Sequence, residues 1–192
     1  MSKFFELLCP AEYAPELHLV DLDKLRERGI RVVLLDLDNT LVPWHGFEIK
    51  PETISWVRSL KEHGIRACIV SNTRYPSRLR KIAAELGVPS TTKGMKPRRA
   101  GFREALKMLD ASIAEAAVIG DQIFTDILGG NRLGLYTILV YPIQKKEFIG
   151  TKVSRFFEKF VLRRLRERGV LDFSGPSSQS PAEQTADTSR QK

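Results

Sequence analysis

The chain has 192 residues, 42% of them hydrophobic, and carries 31 Lys and Arg against 23 Asp and Glu, a formal charge of +8. That length suits one domain with extensions, not two full domains, and the positive charge favours a polyanionic partner: nucleic acid, an anionic membrane surface or a phosphorylated substrate. Cys9 and Cys68 are far apart and in no CxxC or Cys/His cluster, which argues against a disulfide scaffold or a structural zinc site and leaves two ordinary reduced thiols.

The opening MSKFFELLCP is too short, and at Glu6 too acidic, for a signal peptide. No apolar run approaches the roughly 20 residues that span a bilayer, so a cytoplasmic protein is expected. Residues 1–29 read as an N-terminal extension packed on the domain that follows. RVVLLD, residues 31–36, is a short β-branched run that suits a strand buried on both faces of a parallel sheet. Similar runs follow at 67–70, 117–119 and 136–140, and segments of helical period lie at 53–63, 77–86, 99–109 and near 123–132. Gly64, Gly87 and Gly134 each follow a helical stretch, where a glycine can end a helix. Alternation of this kind predicts βαβ units and a mainly parallel α/β sheet over residues 30–150.

Residues 151–173 contain TKVSRFFEKFVLRRLRER, whose Val153, Phe156, Phe157, Phe160, Val161 and Leu165 share one helical face while basic residues outnumber Glu158 and Glu167. Such a helix either packs on the core with a solvated basic face or lies in an anionic membrane interface. From Ser174 the chain is polar and free of aromatics, the composition of a disordered tail over 174–192.

In an open parallel sheet, ligands bind at the carboxyl ends of the strands. The residues there are Asp36 and Asp38 after the first run, Ser71-Asn72-Thr73 after the second, Lys93 and Lys96 further on, and Gly120-Asp121 with Asp126 after the next. Singly, each has a local explanation as a cap, turn former or solvated lysine. Together, several carboxylates converging on one crevice repel one another, and a divalent cation with oxygen ligands relieves the repulsion; Mg2+ is the natural choice. Carboxylates, a hydroxyl and a lysine without a histidine or thiolate cluster suit phosphoryl transfer, with a carboxylate as the attacking group and an aspartyl-phosphate as intermediate.

DLDNTL resembles the DxDx[TV] signature of the haloacid dehalogenase-like (HAD) phosphatases, and Ser71, Lys96 and GDQIFTD match the remaining three motifs in order over residues 30–142. Within that superfamily DLDNTLVPW, the SNT turn, KP, VIGDQIFTDILGGNRLGLYTILV and the opening PAEYAPELHLVDLDKLRERGI look like the YqeG family of subclass IIIA, related to the phosphatidylglycerophosphate phosphatases of yeast mitochondria and plant plastids. The resemblance implies a HAD-like Rossmannoid three-layer sandwich. It makes Asp36 the nucleophile and Asp38 the general acid/base, with Mg2+ held by the Asp36 carboxylate, the Asp38 main-chain carbonyl and Asp121. Ser71, with the amides of Asn72 and Thr73, would bind the phosphoryl group, Lys96 would neutralise it, and Asp126 would orient the metal shell. The KP pattern favours Lys96 over Lys93.

Many enzymes of this class carry a cap domain over the crevice. Here about 30 residues separate Asp38 from Ser71 and about 25 separate Ser71 from Lys96, lengths already needed for helices and strands. No cap domain is expected, and an open crevice suits a substrate whose bulk stays outside. The resemblance makes phosphatidylglycerophosphate the leading candidate; the basic segment allows peripheral contact with an anionic membrane, and no nucleic-acid partner is expected. The alternatives are the same chemistry on a nucleic-acid end or soluble phosphometabolite, or a non-catalytic nucleic-acid or membrane binding module. Trp44, His45 and Phe47 fall near the crevice mouth and are left without a role.

Overall fold

The computed structural model describes residues 3–93 and 95–144. Six strands, β1 (Glu12–Ala14), β2 (Val32–Leu35), β3 (Arg66–Val70), β4 (Ser90–Thr91), β5 (Ala116–Gly120) and β6 (Tyr136–Val140), form one sheet in the order β1-β6-β5-β2-β3-β4. Every pairing is parallel. Helix α1 (Lys3–Glu6) precedes β1, and α2 (Leu22–Glu27), α3 (Pro51–Glu62), α4 (Pro76–Leu86), α5 (Ala100–Met108) and α6 (Leu128–Leu133) run between successive strands.

The strand period of two sends alternate side chains to opposite faces, and each face has its own cover. Val33, Leu35, Ile69 and Ile119 pack with Leu25 of α2, Trp56 and Leu60 of α3 and Ile82 of α4. Val32, Leu34, Cys68 and Val118 pack with Phe102 and Leu106 of α5 and Leu133 of α6. This is the three-layer α/β sandwich expected, with no cap domain among the described residues. Phe102 is among the largest side chains with no exposed surface, and burying such a side chain contributes roughly 1.5–3 kcal/mol. Pro51 and Pro76 open α3 and α4, where the missing N–H has no partner to lose. Gly87 and Gly134 close α4 and α6 at φ of +67° and +87°, a backbone that a Cβ disfavours.

Four differences from the sequence reading have simple causes. The edge strands β1 and β4 were not expected; at three and two residues they are too short to show a period. Through β1 the first thirty residues supply a sheet edge, and Leu17, Val20, Leu22 and Leu25 supply core. The helical stretch at 123–132 is two elements, a π-helical turn Ile123–Ile127 followed by α6. Asp36 lies just past β2, although its N–H still donates to the Ile119 carbonyl (2.9 Å). Cys68 is a free cysteine, and burial pushes its thiol up to about 12. The expected basic helix over 151–173 and tail over 174–192 lie outside the described residues.

Candidate active site

The chain runs outward from β2 to β3 and β4, then returns to build β5 and β6 on the other side. The reversal between β2 and β5 is where loops diverge and leave a crevice. Asp36 follows β2 and Asp121 follows β5, so the two aspartates meet at this reversal.

After Asp36 the backbone folds back on itself. The Asn39 N–H donates to the Val42 carbonyl (2.7 Å), and the Leu41 and Val42 N–H groups share the Leu37 carbonyl (3.0 and 3.2 Å). Asn39 takes φ +63° to close this turn, a left-handed conformation that asparagine tolerates better than most residues. The turn separates the two aspartates in function as well as position. Asp36 is buried; Asp38 is partly open, with Oδ1 2.8 Å from Arg78 Nη1 and accepting from the His45 N–H at 3.4 Å. Arg78, near the start of α4, is 4% exposed and also donates to the carbonyls of Gly46 (2.8 Å) and Pro43 (3.4 Å).

Arg78 was missed in the sequence because it stands among Arg80 and Lys81 in a basic helix. The signal available was its phase: Arg78 sits four residues before the buried Ile82, on the apolar face of α4.

Lys96 is buried, and its ammonium pairs with Asp36 Oδ1 and with Asp126 Oδ1, the latter at 2.7 Å. Lys93 points elsewhere, exposed and paired with Glu104 at 3.1 Å. The Asn72 side chain grips the Lys96 backbone from both sides, its Oδ1 accepting from the Lys96 N–H (2.7 Å) and its Nδ2 donating to the Lys96 carbonyl (3.0 Å). That side chain is therefore a brace for Lys96. Ser71 is buried at the end of β3, and its Oγ accepts from the Thr73 N–H (3.1 Å). So held, the hydroxyl has its own proton available to donate into the crevice.

On the opposite wall the π turn brings Asp126 back against Gly120. The Gln122 N–H donates to Asp126 Oδ2 at 3.2 Å, and a Cβ on Gly120 would stand 2.4 Å from that carboxylate. The motif needs glycine there because nothing larger fits beside Asp126. Oxygens of Asp36, Asp121 and Asp126 lie within 4.8 Å of one another, and Asp36 Oδ2 and Asp121 Oδ1 are buried with no hydrogen-bond partner among the described residues. Three carboxylates facing one ammonium leave two negative charges, the charge of one divalent cation. The all-oxygen donor set suits a hard cation such as Mg2+. The Asp38 carboxylate, turned to Arg78, is outside this cluster.

The electrostatics carry the same imprint. Burial, reinforced by the neighbouring aspartates and opposed by Lys96, raises Asp36 to about 7. Burial and then Asp36 and Asp126 raise Asp121 to about 8. Burial works against the Lys96 charge, yet Asp126 and Asp36 outweigh it and hold the ammonium above its ordinary value.

The crevice measures about 460 Å³ and is lined by Asp36, Asp38, Ser71, Lys96, Gln122 and Thr125, with Trp44, His45 and Tyr75 also lining it. The His45 ring packs edge-on against Trp44 and Tyr75, with centroids 5.0 and 5.8 Å apart. A hollow of about 480 Å³ beyond Thr40, lined also by Tyr13, His18 and Lys50, gathers no such carboxylate cluster.

A parallel sheet with this arrangement at its switch point is that of a phosphatase, and the comparisons with known proteins agree. The sequence model of the haloacid dehalogenase-like hydrolases matches residues 18–134, and the chain belongs to that family. It is 37% identical over 173 residues to the probable phosphatase YqeG of Bacillus subtilis (strain 168), covering 90% of this chain and 98% of that protein. It is 28% identical over 177 residues to phosphatidylglycerophosphate phosphatase 1, chloroplastic/mitochondrial, of Arabidopsis thaliana, covering 86% of this chain and 50% of that one. Among solved structures, an uncharacterised protein from Listeria monocytogenes serotype 4b shares the fold at a TM-score of 0.50 and 20% identity, over 62% of this chain and 85% of that chain.

Proposed function

We propose that the protein is a Mg2+-dependent phosphomonoesterase working through an aspartyl-phosphate on Asp36, and that it removes the terminal phosphate of phosphatidylglycerophosphate. The observation that carries the chemistry is the split use of the Asp36 carboxylate: Oδ1 is bound to Lys96, while Oδ2 has no hydrogen-bond partner among the described residues. One oxygen is thereby anchored and the other is left to attack.

Asp36 Oδ2 attacks phosphorus in line with the ester oxygen, and the bond from phosphorus to that oxygen breaks. Asp38 gives its proton to the leaving oxygen, then as a carboxylate takes one from water; the water oxygen attacks phosphorus and frees Asp36 and inorganic phosphate. Ser71 Oγ–H and the Lys96 ammonium neutralise the transferring group. Asp36, Asp121 and Asp126, with the Asp38 main-chain carbonyl, would hold the metal. When bound, Mg2+ supplies positive charge against the phosphoryl oxygens.

The lipid reading rests on the similarity to the Arabidopsis enzyme and on the uncapped crevice, which lets a large substrate stay outside. It implies work at the cytoplasmic face of a membrane, and no helix among the described residues is long and apolar enough to cross one. The test is phosphate release from phosphatidylglycerophosphate, a phosphorylated oligonucleotide and sugar phosphates, with and without Mg2+. Asp36→Asn is expected to abolish turnover of every ester that the wild type hydrolyses. Retained activity in that variant refutes the nucleophile, and preference for the oligonucleotide or sugar phosphates refutes the lipid.

A further inference from the structure

Asp36 lies on the floor of its crevice, 6% exposed, so a phosphomonoester must enter the mouth to reach it. A phosphate carried by a membrane lipid stands no further from the bilayer than its headgroup allows. For such a phosphorus to meet Asp36, the mouth itself must lie against the lipid surface.

Segments 43–50, 71–75, 92–93 and 95–99 follow β2, β3 and β4 at the carboxyl edge of the sheet, and Trp44, His45, Arg74, Tyr75 and Lys96 from them line the crevice. They hold Phe47, Tyr75 and Met95, which are 52%, 56% and 65% exposed. Cations accompany each: Lys81 Nζ stands 5.4 Å over the Phe47 ring, Arg74 precedes Tyr75, and Arg98 and Arg99 follow Met95. The exposed charges of these segments are Lys50, Arg74, Lys93, Arg98 and Arg99 against Glu48 alone. Lys50 and Lys93 are paired with Glu16 and Glu104, whereas Arg74, Arg98 and Arg99 make no ion pair among the described residues.

Exposed apolar side chains ringed by unpaired cations are the composition of a surface that enters an anionic headgroup layer. A soluble phosphometabolite calls for no such rim. A nucleic acid uses cations and aromatic stacking, which leaves Met95, the most exposed of the three, without a use. We infer that Phe47, Tyr75 and Met95, with Arg74, Arg98 and Arg99, form a docking surface for an anionic bilayer that seats the crevice mouth over a lipid phosphate. This rests on the lipid reading of the substrate.

Flotation of the full-length protein with vesicles of phosphatidylcholine, with or without phosphatidylglycerol, measures the contact. Binding is expected only to the anionic vesicles. Phe47→Ser/Met95→Ser lowers it at least about tenfold, given the apolar surface each side chain carries into the interface. Arg98→Gln/Arg99→Gln lowers it about fivefold per cation at low salt. Met108→Ser/Ile113→Ser, exposed residues at the opposite edge of the sheet, leaves it unchanged. Activity gives a second readout: the ratio of phosphate release from phosphatidylglycerophosphate in vesicles to that in detergent micelles falls in both rim variants. The docking surface is overturned if the rim variants float like wild type, if binding is lost instead on Arg163→Gln/Arg164→Gln, or if the protein binds single-stranded oligonucleotide and not vesicles. A protein that floats through this rim yet releases no phosphate from the lipid in either form refutes the substrate and supports the surface.

Discussion

Arg78 ties Asp38 to the loop in front of it, and its placement has a kinetic consequence. A carboxylate 2.8 Å from a buried guanidinium, steadied by the His45 N–H, is held in one orientation two residues beyond Asp36. If Asp38 protonates the leaving oxygen, then an imprecise Asp38 matters most where that oxygen is a poor leaving group. Arg78→Ala is expected to lower kcat on an alkyl phosphate by about a hundredfold, the lower end of general acid–base contributions. On p-nitrophenyl phosphate, whose phenolate leaves without a proton, the loss is expected to be several times smaller. Arg78→Lys keeps the charge but not the fork that reaches Pro43, Gly46 and Asp38 together, and recovers only part of the difference. Equal losses on both esters show that Arg78 acts through folding alone. The sequence displayed Asp36, Asp38, Ser71, Lys96, Asp121 and Asp126 because strand ends concentrate them in a fixed order. It hid Arg78 and the bracing role of Asn72, since both depend on which side chains face each other across separate loops.

At the scale of elements, the turn from β5 into α6 decides how closely the three carboxylates of Asp36, Asp121 and Asp126 can gather. Its π-helical geometry, a form frequent at functional sites, brings the Asp126 carboxylate back over Gly120 at the end of β5. In the sequence this stretch has the apolar spacing of an ordinary helix, and a single widened turn leaves too little trace in the period to be read. What does show is Gly120, whose lack of a side chain admits Asp126. Gly120→Ala forces a Cβ into a carboxylate 2.4 Å away. Overpacking of this kind costs about 1–3 kcal/mol, and here it also displaces Asp126 from Lys96. Urea unfolding of Gly120→Ala is expected to show a lowered midpoint that corresponds to a loss of stability in that range, together with lost Mg2+-dependent activity. An unchanged midpoint and full activity refute the idea that this contact is tight in solution.

Across the whole molecule the sheet acts as a frame that forces like charges together, and stability should report it. Asp36 and Asp121 ionise near 3.8 in the unfolded chain but near 7 and 8 in the folded one. Between those values the folded state binds more protons than the unfolded state, so stability falls as pH rises from about 4 to about 8 and levels off above. A divalent cation binds the ionised cluster and is therefore expected to reverse this loss, competing with the protons. Thermal unfolding of the metal-free protein should give a Tm that declines over this window. Added Mg2+ should raise Tm little near pH 5 and most near pH 8, and Asp121→Asn should flatten both trends. A Mg2+ stabilisation that is the same at pH 5 and pH 8, or one that survives in Asp36→Asn/Asp121→Asn, places the ion outside this cluster.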